Sequence, residues 1–273
     1  MKIKWIVGGL LWASSYLQAA AQEYKLWYDE PAQVWTEALP LGNGRLGAMV
    51  FGNPGVEHIQ LNEETIWAGR PNNNANPNAL EYIPKVRQLV FEGKYLEAQT
   101  LATEKIMAKT NSGMPYQSFG DLHISFPGHT RYSDYYRELS LDSARTIVRY
   151  KVDGVTYQRE TLTSFADQVV MVRLTASQPG KITCNANLTT PHQDVMVSTE
   201  GEEVTLSGVS SWHEGLKGKV EFQGRMTARS QGGTQACRDG VLSIEGADEA
   251  VIYISIATNS VSYTHLRAHE TRG

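Results

Sequence analysis

The chain has 273 residues, of which 41% are hydrophobic and 20% are charged. These values are typical of a folded globular protein and exclude a disordered or collagen-like chain. The 25 Lys and Arg are balanced by 29 Asp and Glu, which leaves a net charge of −4. Because binding to a nucleic-acid backbone needs a basic field, no nucleic-acid partner is expected. The length allows one large all-β domain or two smaller domains.

The N-terminus has the pattern of a secretory signal peptide. Two lysines precede an apolar run from Trp5 to Leu17, and alanines at positions 19–21 supply the small residues that a signal peptidase recognises. The run is shorter than the roughly 20 residues of a membrane-spanning helix. We therefore predict a signal peptide at residues 1–21 and a periplasmic or secreted mature chain without a membrane span. A retained N-terminal anchor is the alternative.

A G-x-G-x-x-G sequence at residues 42–47 resembles the fingerprint of dinucleotide-binding proteins. That fingerprint functions only between a strand and a helix whose N-terminus faces the pyrophosphate. Here Pro40 precedes the glycines, and residues 48–54 have the pattern of a strand and a turn rather than a helix. We therefore interpret the glycines as part of a tight turn with close backbone packing.

Helical periodicity is confined to residues 82–109. Its apolar residues recur three or four positions apart, and the pattern is interrupted at Gly93. We therefore predict two short helices in this segment. The preceding residues 71–78 are rich in asparagine and proline, which favour turns, so they are predicted to form a polar loop.

From about Leu139 onward the hydrophobic pattern alternates with a period of two. Asp153 and Gly154 then predict a hairpin turn, because both residue types tolerate positive φ. Further strands are predicted at residues 155–159, 168–174, 180–188, 203–206, 219–228, 241–245 and 250–257. Many short strands at this spacing predict an all-β protein, a large antiparallel β-sandwich with a short helical insert and no internal domain boundary.

Few patterns in the chain point to metal or nucleophile chemistry. His265 and His269 have the spacing of a helical metal-binding pair, but they lie in a C-terminal tail unlike the preceding strands. The other five histidines show no ligand spacing, so no metal ligand is predicted. No G-x-S-x-G, H-E-x-x-H or P-loop pattern is present. Cys184 and Cys237 form either one disulfide or two separate buried thiols.

The mature chain is rich in aromatic residues. Its rings include the tryptophans Trp27, Trp35, Trp67 and Trp212 and the tyrosines Tyr116, Tyr132, Tyr135 and Tyr136. Exposed rings can stack on sugar faces, but most of these rings are predicted to be buried in the sandwich core. Trp67 precedes the turn-rich loop and follows Asn62 and Glu63, so it is the best candidate for an exposed ring near a ligand.

An ordered series of motifs then points to a family. The motifs lie at residues 26–28, 35–50, 60–69, 116–122, 136–142 and 157–160. Together they closely resemble the N-terminal domain of glycoside hydrolase family 95, which contains α-L-fucosidases and some α-L-galactosidases. The resemblance covers residues 23–259.

The resemblance implies a supersandwich-like β-sandwich at residues 22–259, which in the family is followed by a helical linker, an (α/α)6 barrel and a C-terminal β-domain. It implies an inverting enzyme that acts on terminal α-L-fucosides without a metal or organic cofactor. In the family a Glu is the general acid and an Asp activates water, and both lie in the barrel. No catalytic residue can therefore be assigned here. The expected partners are a fucosylated glycan and the barrel of the same chain.

Two loops are predicted to line the rim of the sugar pocket. They carry the six candidate substrate-binding residues Asn62, Glu63, Trp67, Tyr116, Gln117 and Asp121. Turn formation and packing at a domain junction is the alternative role for these residues. Residues 260–273 depart from the family pattern and are interpreted as an artefactual tail, with a natural short tail as the alternative. A stand-alone carbohydrate-binding module and a purely structural β-domain are the alternative functions.

Overall fold

The structure is a computed structural model, and it describes residues 23–71, 73–108 and 113–260. The predicted signal peptide lies outside the described residues, as does the predicted tail beyond Ser260 with His265 and His269. Among the described residues, no helix combines the length and the apolar character that crossing a lipid bilayer requires.

The described residues form two antiparallel sheets. The strands are β1 (Lys25–Tyr28), β2 (Leu39–Gly42), β3 (Leu46–Val50), β4 (Val56–Glu63), β5 (Gly120–Ser125), β6 (Ser133–Ser140), β7 (Arg145–Val152), β8 (Val155–Thr163), β9 (Val170–Ala176), β10 (Ile182–Thr189), β11 (Val195–Glu200), β12 (Glu203–Val209), β13 (Glu221–Gln231), β14 (Thr234–Arg238), β15 (Val241–Ala247) and β16 (Glu249–Thr258). The order is β1-β6-β7-β8-β9-β16-β13-β12-β11 in a nine-stranded sheet and β14-β15-β10-β5-β4-β3-β2 in a seven-stranded sheet. The predicted antiparallel β-sandwich is confirmed.

The core lies between the two sheets. The central strands send alternate side chains inward, so the apolar residues of β4 and β5 pack in one cluster with those of β9 and β16. At the start of β5, Gly120 has a φ of 152°, and a Cβ there would lie 2.0 Å from the carbonyl oxygen of Thr189. Only glycine permits this close approach between β5 and the end of β10.

The helical insert consists of α1 (Ala79–Phe91) and α2 (Tyr95–Lys105). Gly93 separates the two helices with a φ of 74°, so the predicted break is confirmed. Leu89 of α1 and Ala98 of α2 are buried, but neither belongs to the cluster that forms the sandwich core.

The turn predictions are also confirmed. The G-x-G-x-x-G residues form the turn between β2 and β3, where the side chain of Asn43 accepts hydrogen bonds from the backbone N–H groups of Arg45 and Leu46. Because a strand rather than a helix follows, the dinucleotide interpretation stays excluded. Asp153 and Gly154 both have positive φ between β7 and β8, as the hairpin prediction requires.

The prediction that most of the eight tryptophan and tyrosine rings named above are buried is wrong, because six are exposed and Tyr135 and Tyr136 are partly buried. The tryptophans are the most exposed of them. The exposed fractions are 59% for Trp27, 55% for Trp35, 46% for Trp67 and 64% for Trp212. The core is filled mainly by aliphatic side chains, and its buried rings are Phe119, Phe126, Tyr150, Tyr157 and Phe222. Trp27 lies on the edge strand β1, and Trp35 begins a 3-10 helix (Trp35–Glu37). Trp67 and Trp212 lie in loops, where strand alternation does not direct side chains inward.

The two cysteines are free thiols, which decides between the two alternatives left by the sequence. Cys184 is buried on β10, whereas Cys237 is partly exposed on β14. Strand β15 lies between β10 and β14 in the sheet. Two strand spacings amount to about 9.5 Å, which is beyond the Cα separation of about 7 Å that a disulfide tolerates.

Candidate functional site

Three loops meet at one end of the sandwich. They are the segment after β4 (residues 64–69), the segment before β5 (residues 115–119) and the segment after β12 (residues 210–219), which we call the loop cluster. The backbone N–H of Gly69 donates to the carbonyl of Ser211 at 2.9 Å, and that of Gln117 donates to the carbonyl of Ile66 at 2.9 Å. These bonds make one surface from segments that are distant in sequence.

Glu63 holds the loop cluster against the end of the nine-stranded sheet. Its buried carboxylate accepts hydrogen bonds from the backbone N–H and the hydroxyl of Thr65 at 2.8 and 2.7 Å. The guanidinium of Arg45 lies 3.4 Å from the same carboxylate and donates to the carbonyl of Ile256 at 2.7 Å. The carboxylate therefore accepts from three donor groups, two of Thr65 and one of Arg45. It positions the loops rather than presenting a free oxygen to a ligand.

Trp67 and Tyr116 form an aromatic pair on this surface. Their backbones make an isolated β-bridge, and their ring centroids lie 5.2 Å apart in an edge-to-face arrangement. The indole N–H of Trp67 donates to the carbonyl of Glu64, and the hydroxyl of Tyr116 donates to the carbonyl of Glu63. Because both polar tips are tied to the backbone, the exposed ring faces keep a fixed orientation. The predicted exposure of Trp67 is confirmed.

Gln117 connects two of the loops. Its side-chain carbonyl accepts a hydrogen bond from the backbone N–H of Ser211 at 2.9 Å. Buried His192 supports the same junction, since its ring nitrogens lie 3.1 Å from the hydroxyl of Ser211 and 3.0 Å from the carbonyl of Ser118. Trp212 follows directly and is exposed. The sequence did not place Trp212 at this site, because the loop after β12 is distant from the other two loops along the chain.

Cavities surround the loop cluster. One of about 340 Å³ is lined by Trp67, Arg70 and neighbouring residues, and another of about 330 Å³ is lined by Trp212 and Asp194. A third cavity, about 860 Å³, extends from Asp194 over β12 and β13 to the end of β16. Asp194 and Glu221 both line it, but both side chains are exposed. A glycosidase acid is kept protonated by apolar or charged surroundings, so this exposed pair does not have the properties of a catalytic dyad.

Among the described residues, Asn62 and Asp121 have no side-chain hydrogen bond to the loop cluster. The side-chain carbonyl oxygen of Asn62 is buried without a hydrogen-bond partner in the part of the chain that the structure describes. The carboxylate of Asp121 lies 2.6 Å from Nε2 of His58 on the neighbouring strand. The structure therefore brings Glu63, Trp67, Tyr116 and Gln117 together, and it joins Asp121 to a second group of side chains.

This second group consists of His58, Asp121 and His123 on the outer face of the seven-stranded sheet, and we call it the histidine cluster. The register between β4 and β5 places His58 directly opposite His123. Burial and the neighbouring His58 lower the pKa of His123, which favours a neutral ring. Ligand spacing along a single helix does not reveal this group, because its residues come from two paired strands. The available signal was polar alternation, with polar residues two apart at 58 and 60 and at 121 and 123.

Comparisons with known proteins show which family and which relatives this chain is similar to. Residues 26–263 match the family described as "Glycosyl hydrolase family 65, N-terminal domain". "Alpha-L-fucosidase 2" of Arabidopsis thaliana is 32% identical over 268 residues, which covers 89% of this chain and 31% of the plant protein. "Probable alpha-fucosidase A" of Aspergillus niger is 28% identical over 251 residues, which covers 86% of this chain and 30% of the fungal protein.

A solved structure that carries the name of a kojibiose phosphorylase from the human microbiome covers 91% of this chain, with a TM-score of 0.48 and 10% identity, and this chain covers 33% of that one. Measured against the two fucosidase relatives, the chain spans about 30% of their length. The predicted resemblance to the N-terminal domain of α-fucosidase-type enzymes is confirmed, although the matching family carries the number 65 rather than 95. The chain belongs to the family of glycosyl hydrolase family 65 N-terminal domains.

Proposed function

We propose that this chain is the N-terminal domain of an exported α-L-fucosidase of glycoside hydrolase family 95, which removes terminal α-L-fucose from glycans with inversion. The observation that carries the proposal is the similarity to "Alpha-L-fucosidase 2" over 89% of the chain. The signal-peptide pattern of residues 1–21 supports export to the periplasm or the medium. The order of the motifs supports the assignment to family 95.

The catalytic acid and the base that activates water belong, in this proposal, to an (α/α)6 barrel of the same protein. The relatives are about three times as long as the part of them that this chain covers, which leaves room for such a domain. The exposure of Asp194 and Glu221 at the cavity beside β12 and β13 is consistent with catalysis elsewhere. The β-sandwich then supports the barrel and shapes the rim of its sugar pocket.

Trp67 and Tyr116 are the proposed sugar-contacting residues of that rim. Their exposed ring faces are fixed by hydrogen bonds, and apolar faces of this kind suit the C–H face of a fucosyl ring. Glu63 and Gln117 are proposed to hold the loops in position through their bonds to Thr65 and Ser211. Contact of Asn62 and Asp121 with sugar stays a prediction.

The first experiment compares this chain with the full-length gene product on 2′-fucosyllactose. The full-length enzyme should release fucose, whereas this chain alone should show no turnover because the proposal places the acid and the base in the barrel. Proton NMR of the first product formed should show β-L-fucose, as inversion requires. Fucose release by the purified chain alone would contradict the placement of the acid and the base in the barrel. α-L-fucose as the first product would contradict inversion.

A second experiment tests the rim in the full-length enzyme. Trp67→Ala should raise KM for 2′-fucosyllactose with a smaller effect on kcat, because it removes a binding face and no proton-transfer group. Trp27→Ala is the matched control, since Trp27 is a similarly exposed indole on the edge strand β1. Equal effects of the two substitutions would contradict a sugar-binding role for Trp67.

The second candidate function is a stand-alone carbohydrate-binding module. The exposed Trp67–Tyr116 pair beside a cavity is the observation that favours it. Isothermal titration of this chain with fucose and with 2′-fucosyllactose separates the two functions. Saturable binding that Trp67→Ala abolishes would support the module, whereas no measurable binding would support a rim that needs the barrel to complete it.

A further inference from the structure

The histidine cluster is assembled by the pairing of β4 with β5. His58 lies directly opposite His123, and Gln60 lies opposite Asp121, so the Asp121 side chain is diagonal to His58. Strand alternation places all three side chains on the same outer face of the sheet. One ligand atom from each residue, a ring nitrogen or a carboxylate oxygen, lies within 4.8 Å of the others.

The donor set suits a divalent transition metal. Neutral imidazole nitrogens and one carboxylate oxygen are ligands that Zn²⁺ accepts, and three protein ligands leave a fourth tetrahedral position for water or another ligand. The side chains are half-buried, so a bound ion would be partly shielded and still reachable from solvent. A hard cation such as Mg²⁺ or Ca²⁺ prefers oxygen donors, which the two rings do not provide.

Neighbouring groups restrict the rings before any ion binds. Phe51 stacks on His58 with a centroid distance of 4.3 Å, and His123 stacks on His58 with a centroid distance of 5.0 Å. His58 is therefore held between two rings while its Nε2 contacts Asp121 at 2.6 Å. Because the planes of His58 and His123 differ by only 17°, binding of one ion by both rings requires at least one ring to rotate about its Cβ–Cγ bond.

We propose that His58, Asp121 and His123 form a binding site for a divalent transition metal ion, with Zn²⁺ as the best match. His58 and His123 each supply one ring nitrogen and Asp121 supplies one carboxylate oxygen. A ring nitrogen that binds the ion must carry no proton, so binding should release a proton from any coordinating nitrogen that carries one. The site lies on the outer face of a sheet whose strand register is fixed by the buried alternate residues Ile59 and Leu122. The proposal is independent of the fucosidase proposal.

The test is isothermal titration of the complete chain with ZnCl₂ after removal of metal with EDTA and dialysis. One saturable site is expected. His58→Ala and His123→Ala should each weaken binding by more than about tenfold, as should Asp121→Asn, which keeps the shape and removes the charge. His213→Ala is a matched control elsewhere in the structure, and the double variant His265→Ala/His269→Ala controls for the histidines of the tail. Both controls should retain the site.

Spectroscopy of the unsubstituted chain tests the proposal even if a variant fails to fold. Co²⁺ titration of the unsubstituted chain should produce the intense visible bands of a four-coordinate site, and Zn²⁺ should shift the ring NMR signals of the His58–His123 pair as the stacked rings rotate. Circular dichroism of each variant checks that it is folded. Absence of saturable binding, or binding unchanged in both His58→Ala and His123→Ala, would overturn the proposal. The three side chains would then be a hydrogen-bonded surface group only.

Discussion

At the scale of single residues, a buried ion pair between the two sheets stands out. Glu57 on β4 and Arg159 on β8 each have side chains only 2% exposed, with an N–O distance of 3.5 Å. Arg159 lies between the rings of Phe126 and Tyr150 and donates to the carbonyl of Asn53 at 2.8 Å. Burial raises the pKa of Glu57, and the Arg159 guanidinium opposes that rise.

Replacing Arg159 should be among the most destabilising changes in the chain. Arg159→Met leaves the Glu57 carboxylate buried without its counter-charge, so we expect the free energy of unfolding to fall by about 3–5 kcal/mol. Urea unfolding followed by circular dichroism measures the change.

A double variant separates charge from packing at the same position. Arg159→Met combined with Glu57→Gln removes the uncompensated charge, so it should be more stable than Arg159→Met alone. If the free energy of unfolding of Arg159→Met were within about 0.5 kcal/mol of that of the unsubstituted chain, the ion pair would not be important for stability. Surface substitutions have effects of that size.

At the scale of elements, the helical hairpin is the part least connected to the sandwich. Leu89 and Ala98 are buried, whereas large apolar side chains such as Leu80, Phe91 and Leu96 are exposed on the two helices. Pro84 lies inside α1 and removes one backbone donor. The hairpin should therefore open locally with a lower free energy than the sheets.

Leu89→Ala tests this separation. The substitution should accelerate amide hydrogen exchange in α1 and α2 and leave exchange in the sheets unchanged, because Leu89 is outside the sandwich core. Leu122→Ala is the matched control, since Leu122 is fully buried within the core, and its loss should lower global stability by about 2–5 kcal/mol. If both variants lowered the main unfolding transition equally, the hairpin would be part of the same cooperative unit.

Several strands are absent from those predicted from the sequence: β1, β2, β4, β5, most of β6, β11 and β14. Two of them, β11 and β14, share a physical reason. β11 and β14 are the terminal strands of the nine-stranded and seven-stranded sheets, respectively. An edge strand pairs on one side only, and all but one of the β11 side chains are exposed. The alternation of buried and exposed positions that identified β7 and β16 is therefore weak in β11 and β14.

At the scale of the whole molecule, stability rests on packing between the sheets without a covalent link. Cys184 and Cys237 lie on strands separated by β15. Burial raises the pKa of the Cys184 thiol to about 12, so the reactive thiolate is scarce in the folded protein. The chain should therefore keep both thiols even in an oxidising compartment.

Thermal unfolding with and without dithiothreitol tests this expectation. The midpoint should be the same in both conditions, because no disulfide restricts the unfolded chain. Alkylation of protein unfolded in guanidinium without reductant should modify both cysteines, as mass spectrometry can measure. A midpoint lowered by the reductant, or fewer than two alkylated thiols, would contradict the separation of the two strands.

The sequence by itself determined the β-sandwich, the paired helices with their break at Gly93, and the family, because periodicity, turn residues and motif order are carried by neighbouring residues. Only the tertiary structure decided which distant residues meet. His58 and Asp121 are 63 positions apart, yet they are in contact because of the register between β4 and β5. The Glu57–Arg159 pair depends in the same way on how two sheets face each other. Strand register and sheet packing arise from the sum of many core contacts, so no local pattern encodes them.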